Sequence, residues 1–178
     1  MEQTWPELLH IDRDQLTLLE AILTAETPRE SCALLLGPWF GATCRPSIGA
    51  MAGPEPIWIA AVWPCLNVWD PPSERHGRFA VDPREQLMAQ KWGRQRGWQL
   101  IGTAHSHPGG QPVPSPLDRS LAVAPTLMLI AGATGQSSPL EPAGVTIRAW
   151  WLTAGDDDPA EQMAAARPLT IRIGDLGH

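Results

Sequence analysis

Apolar residues recur along this chain with two periods, one helical and one extended. In "IDRDQLTLLEAILTAET", Leu16, Leu19 and Leu23 fall at helical spacing, with Leu18 and Ile22 beside them. Asp12 and Gln15 can form a capping box and Pro28 forbids continuation, so a helix is expected over Arg13–Glu26. A second helix is expected after Asp82, a good N-cap, with Pro83 at the first helical position and Glu85 completing the box. Gly97 stands where a left-handed C-terminal cap belongs. A third, short helix is expected in "SPLDRSLAVA", capped by Ser115 and led by Pro116.

Six short apolar runs read as strands: "ESCALLLG", "IWIAAVWP", "RFAV", "WQLIGTAH", "TLMLIAG" and "VTIRAWWLT". Pro38–Pro56 and Gly132–Gly144 are rich in turn residues and read as loops. In the tail, "DDDPAEQMAAA" has helix-start chemistry and "LTIRI" alternates like a strand. No internal repeat or long linker breaks the pattern. Helices interleaved with strands predict one α/β or α+β domain over residues 1–178, with a mixed central β-sheet.

Composition narrows the function classes. The chain has 178 residues, 43% of them hydrophobic and 18% charged, which suits a packed core and excludes general disorder. A net charge of -6 and a pI near 5.3, with scattered arginines and Lys91 as the only lysine, speak against nucleic acid as a partner. A protein or peptide partner fits better. Cys32, Cys44 and Cys65 are odd in number and form no C-x-x-C pair, which points to a reducing cytoplasm rather than a disulfide framework. The N-terminus has no basic segment leading into an apolar run, and no run approaches the roughly 20 residues of a membrane helix. A cytoplasmic protein without membrane attachment is expected; the oligomeric state is not legible.

The stretch "HSHPGGQPVPSPLD" carries the chemistry. On a strand, residues i and i+2 share a face, so His105 and His107 point together while Ser106 faces away. Two imidazoles make half of a zinc site, and Asp118 at the start of the next helix offers a third ligand, leaving a fourth position open as catalytic zinc requires. Each piece also has an ordinary account. A lone H-x-H is common on strands, Ser115 to Asp118 is a standard capping box, and the prolines shape a turn. Their conjunction is less ordinary, because five positions, His105, His107, Pro108, Ser115 and Asp118, are specified at fixed offsets.

These residues resemble the JAMM motif of the MPN-domain zinc metallopeptidases, an upstream glutamate followed by H-[ST]-H-P-x6-S-x-x-D. Every specified position from His105 to Asp118 matches, and Glu30, in "PRESCALLLG", best fits the upstream glutamate. The order of elements from about Leu8 to Thr153 is similar too. The resemblance implies Zn2+ on His105, His107 and Asp118, with Glu30 as general base and Ser115 donating to the oxyanion. It implies an α/β fold, a three-layer sandwich with a mixed central β-sheet flanked by helices, and hydrolysis of a peptide or isopeptide bond. The compact bacterial members suggest the C-terminal glycine tail of a ubiquitin-like sulfur carrier, with the Gly109–Pro114 loop as one wall of the cleft.

Three rivals remain instructive. Many MPN domains serve as catalytically inactive scaffolds for protein interaction, but here all three ligands and a base are present. The zinc deaminases share a similar sheet, yet their H-x-E and P-C-x-x-C signatures are missing; the nearest text, "PCLNV", ends in valine. A DNA-repair relative is disfavoured by the acidic charge. Trp58, Trp63, Trp98, Trp150 and Trp151 are expected in the core or on sheet faces, and Trp39 and Trp69 in loops near the cleft. No role is legible for Asn67 or Arg78, and His76 is expected to be merely exposed.

Overall fold

In the computed structural model, which describes residues 5–38, 55–133, 145–153 and 164–174, the strands join into one eight-stranded sheet. Strand β1 (Leu8–Asp12) runs into helix α1 (Arg13–Thr24), followed by β2 (Cys32–Gly37), β3 (Ile57–Ile59) and β4 (Ala61–Cys65). A short 3-10 turn at Pro72–Glu74 precedes α2 (Pro83–Arg94). Then come β5 (Gln99–His107), α3 (Pro116–Leu121), β6 (Thr126–Ala133), β7 (Val145–Thr153) and β8 (Ala165–Gly174).

The spatial order is β3-β1-β8-β7-β6-β5-β2-β4. β1 is parallel to β3 and β8, and β5 is parallel to β6; the other neighbours are antiparallel. The two edge strands, β3 and β4, are separated in the chain by Ala60 alone, whose N–H donates to the Leu36 carbonyl at 2.8 Å. The sheet therefore curls towards closure, an arrangement that protects its edges.

β2 shows why the fold has three layers. All six of its residues are buried, as a central strand covered on both faces requires. Ala33 and Leu35 pack with Leu19 and Leu23 of α1, whereas Leu34 and Leu36 pack with Ala89 of α2. The expected mixed sheet flanked by helices is thus observed. Its α2 face also carries the ends of β2 and β5 on which the polar cluster described below is built.

The departures from expectation have local causes. β1 was hidden because its alternation is only five residues long and runs straight into the α1 pattern; Leu9 and Ile11 are buried within it. "IWIAAVWP" is two strands, because Ala60 bends the chain from the β1 ladder to the β2 ladder. "RFAV" is not a strand. Its backbone is tied to the Asn67 carboxamide and to Val68 instead of to a ladder. Asp12 and Asp82 do cap their helices, but Gln15 accepts from Val62 N and Glu85 from Trp63 Nε1, so both side chains serve β4 and not the expected boxes. Gly97 does adopt the left-handed conformation, with φ of 73°.

In the tail, "LTIRI" belongs to β8, and so do Ala165 and Ala166, which the helix reading of "DDDPAEQMAAA" included; residues 154–163 lie outside the described set. Cys44, Trp39 and most of the two expected loops also lie outside it. Of the tryptophans expected to pack, Trp151 is buried, and Trp63 and Trp98 pack around Trp92 of α2. Trp69 stays within its own loop, donating to Glu74 beneath the Arg78 guanidinium. His76 is exposed. Among the described residues no helix is long and apolar enough to cross a membrane.

Candidate metal centre

β5 ends where its two neighbours run in opposite senses, antiparallel β2 on one side and parallel β6 on the other. His105 lies opposite Cys32 and Ile130, and His107 opposite Gly132. Strand alternation turns both imidazoles to the α2 face, and Ser106 points the other way. Ser106 is not idle: its Oγ accepts from Ser31 N at 2.9 Å, and its own N–H donates to Ser31 O at 3.0 Å. The residue between the histidines thereby locks β5 to the segment that carries Glu30.

Asp118 arrives from α3. Ser115 caps that helix through the reciprocal box read from the sequence: Asp118 N donates to Ser115 Oγ at 3.1 Å, and Ser115 N donates to Asp118 Oδ2 at 2.7 Å. The box holds the carboxylate facing the histidines. Nε2 of His105 and Nε2 of His107 are 3.0 Å apart, and each lies 3.4 Å from an Asp118 oxygen.

These spacings test the fit of a metal. Zinc takes nitrogen and oxygen ligands at about 2.0–2.1 Å, so neighbouring ligand atoms of a tetrahedral shell stand about 3.3–3.4 Å apart. Each nitrogen–oxygen separation matches, His105 to Oδ1 and His107 to Oδ2, and the nitrogen pair is closer, so binding would need a small turn of the carboxylate and spreading of the rings. The donor set, two imidazoles and one carboxylate, is also the kind zinc takes in open catalytic sites.

Electrostatics agree with that reading at His105, whereas the raised His107 favours a protonated ring whose proton a metal would displace. Burial lowers His105 against the pull of Asp118, which favours the neutral imidazole a metal requires. For His107, burial is outweighed by Asp118 and by the Gln111 carbonyl, and the value is raised. Burial pushes Asp118 up, but its contacts with both histidines overcome this and keep it far below the usual carboxylate range. Glu30 is only 5% exposed, and burial, then the opposing influence of His107 and the nearby Asp118 charge, bring its carboxyl to about 7.

Residues 13–153 match the family described as prokaryotic homologs of the JAB domain. The chain belongs to that family. This is the JAB/MPN group to which the His105–Asp118 run bears its resemblance. The JAB domain is similar to the solution structure of a protein from Desulfitobacterium hafniense, at 25% identity and a TM-score of 0.64, over 94% of both chains. It shares its fold with a protein from Salinibacter ruber, also solved in solution, at 19% identity and a TM-score of 0.55, covering 95% of this chain and 93% of that one. No curated protein matches it.

The JAB domain thus brings His105, His107 and Asp118 together, caps α3 with Ser115, and buries Glu30 within electrostatic reach of His107 and Asp118. Two contributors escaped the sequence reading. Phe79 stacks on His105 with ring centroids 4.5 Å apart, and the Gln111 carbonyl meets His107 Nδ1 at 2.9 Å. Phe79 lay inside a supposed strand, and a backbone carbonyl leaves no trace in a sequence. A cleft of about 560 Å³, walled by apolar residues such as Phe79, Leu117 and Leu121, opens beside Asp118. A smaller cavity of about 160 Å³ lies on the opposite, α1 face of the sheet, lined by Leu23, Thr24, Ser106 and Gly109 among others.

Proposed function

We propose that this JAB domain is a zinc-dependent peptidase or isopeptidase of the cytoplasm, cleaving an amide bond at the C-terminal glycine tail of a ubiquitin-like sulfur-carrier protein. One observation carries the hydrolytic reading: two histidines and an aspartate converge at ligand-shell spacing beside a buried carboxyl brought to about 7. When bound, zinc would supply the Lewis acidity that polarises an amide carbonyl and acidifies water. Glu30, poised near neutrality, takes a proton from the attacking water and returns it to the amine nitrogen as the C–N bond breaks. The Ser115 oxygen already accepts from Asp118 N, which leaves the hydroxyl proton to be donated to the carbonyl oxygen as negative charge gathers there.

The substrate class is supported by the motif resemblance. The apolar cleft beside Asp118 offers a polypeptide a wall along which to extend from the reacting centre. The intact donor set and the buried carboxyl favour this reading over a catalytically inactive scaffold.

The test is to incubate zinc-loaded protein with ubiquitin-like sulfur carriers extended beyond their terminal glycine pair, and to follow their masses. Loss of the extension, absent with Glu30→Gln, is the expected result. Carriers left intact by zinc-loaded protein across the panel would favour the scaffold reading.

A further inference from the structure

Asn67 is a buried carboxamide with no part in the proposed reaction, and its hydrogen bonds join three separate segments. Its Nδ2 donates to Glu30 O at 2.9 Å and to Arg78 O at 2.8 Å. Its Oδ1 accepts from Trp69 N at 3.0 Å and from Ala80 N at 3.2 Å. Two of the segments so joined bear on the metal centre. Glu30 is held at its carbonyl by Asn67 and at its N–H by the Arg75 carbonyl, at 2.7 Å. Phe79 lies between Arg78 and Ala80, which the same carboxamide fixes on either side.

His105 depends on that phenyl ring. A metal-binding imidazole is ordinarily oriented by a hydrogen bond to its second nitrogen. His107 has one, to the Gln111 carbonyl. His105 is wholly buried, and among the described residues its Nδ1 meets no hydrogen-bond partner. What lies against it is Phe79, nearly parallel at 22° between ring planes. Packing therefore does for His105 what a hydrogen bond does for His107.

We propose that Asn67 is a positioning residue of this centre, tying the backbone of Glu30 to the Arg78–Ala80 segment so that one side chain places both the base and the ring that orients His105. The inference rests on the hydrolytic reading of the site. It assigns Asn67 no contact with substrate or metal.

The test compares Asn67→Ala, Asn67→Asp and Phe79→Leu with Ile59→Val, a mild change in the buried β3 strand away from the cluster. Asn67→Asp keeps the acceptor and loses both donations. The readouts on the full chain are zinc affinity, by competition with a chromophoric chelator, and the His105 ring signal of the metal-free protein by NMR. The Asn67 variants and Phe79→Leu should each weaken zinc binding by about tenfold or more and move the His105 signal, while Ile59→Val does neither. Zinc affinity and a ring signal equal to those of Ile59→Val would overturn the proposal. If Asn67→Ala does not fold, Asn67→Asp and Phe79→Leu decide it by the same criteria. If the native protein takes up no zinc, the metal reading fails, and the ring signal alone sustains or overturns the positioning role.

Discussion

His107 Nδ1 and the carbonyl oxygen of Gln111 are hydrogen-bonded at 2.9 Å, and this fixes which nitrogen of the ring is free. A carbonyl only accepts, so Nδ1 carries a proton, and in the neutral ring that a metal requires Nε2 is left with its lone pair facing His105 and Asp118. The loop that presents this carbonyl is itself pinned: Ala133 N donates to Gly110 O at 2.7 Å, and Trp150 Nε1 donates to Pro112 O at 3.0 Å. Such close packing is possible because β6 has a glycine beneath the loop.

A Cβ on Gly132 would meet Pro112 N at 2.5 Å and Gly110 O at 2.6 Å, both backbone atoms that cannot swing aside. Gly132→Ala should therefore lift the loop, release His107 and weaken zinc binding by about tenfold or more. Gly77→Ala, where nothing lies within 4 Å, is the comparison. Equal zinc affinity in the two variants, measured by chelator competition, would show that the loop does not orient His107.

Ser115 has two separable duties. Ser115→Ala should cost about 1 kcal/mol of stability as a lost N-cap, and roughly 100- to 1,000-fold in hydrolysis as a lost oxyanion donor. Ser115→Asn keeps a capping oxygen, so stability should largely return while the rate stays low. Urea melts and initial rates read the two effects independently. A rate that recovers together with stability would reduce Ser115 to a helix cap.

Glu30 predicts a pH effect whose sign is opposite to that of a salt-bridged carboxylate. Its carboxyl is brought up to about 7 in the folded chain, so the folded state favours the protonated form. That contribution is complete below the ordinary glutamate range and is lost as pH rises through about 7. In metal-free protein, Glu30→Gln should match the native chain in stability near pH 4 and exceed it by roughly 1–3 kcal/mol above pH 8. Denaturant midpoints at the two pH values check this; a difference that does not grow with pH would mean that Glu30 is ordinarily ionised.

Much of this was legible in the chain because it rests on local rules. The spacing of His105 and His107 follows from strand alternation, and the Ser115–Asp118 box follows from helix capping; both depend on residues close in sequence. The burial of Glu30 was not readable from its neighbours, since Asn67 and Arg75 bond its backbone from a distant segment and Ser106 of β5 locks the adjoining Ser31. Phe79 was misread for the same reason: its segment looks extended, but its partners are a side chain and a loop. Gln15 and Glu85 have the right spacing for capping boxes, yet tertiary contacts with β4 claimed both.

The most direct test of the central claim is zinc content per chain in the native protein, in His107→Ala and in Asp118→Asn, each after reconstitution and removal of loose metal. The three-residue cluster predicts close to one zinc per native chain and little in either variant. A native protein that takes up no zinc, or variants that keep it, would contradict the assignment of His105, His107 and Asp118 as a metal centre.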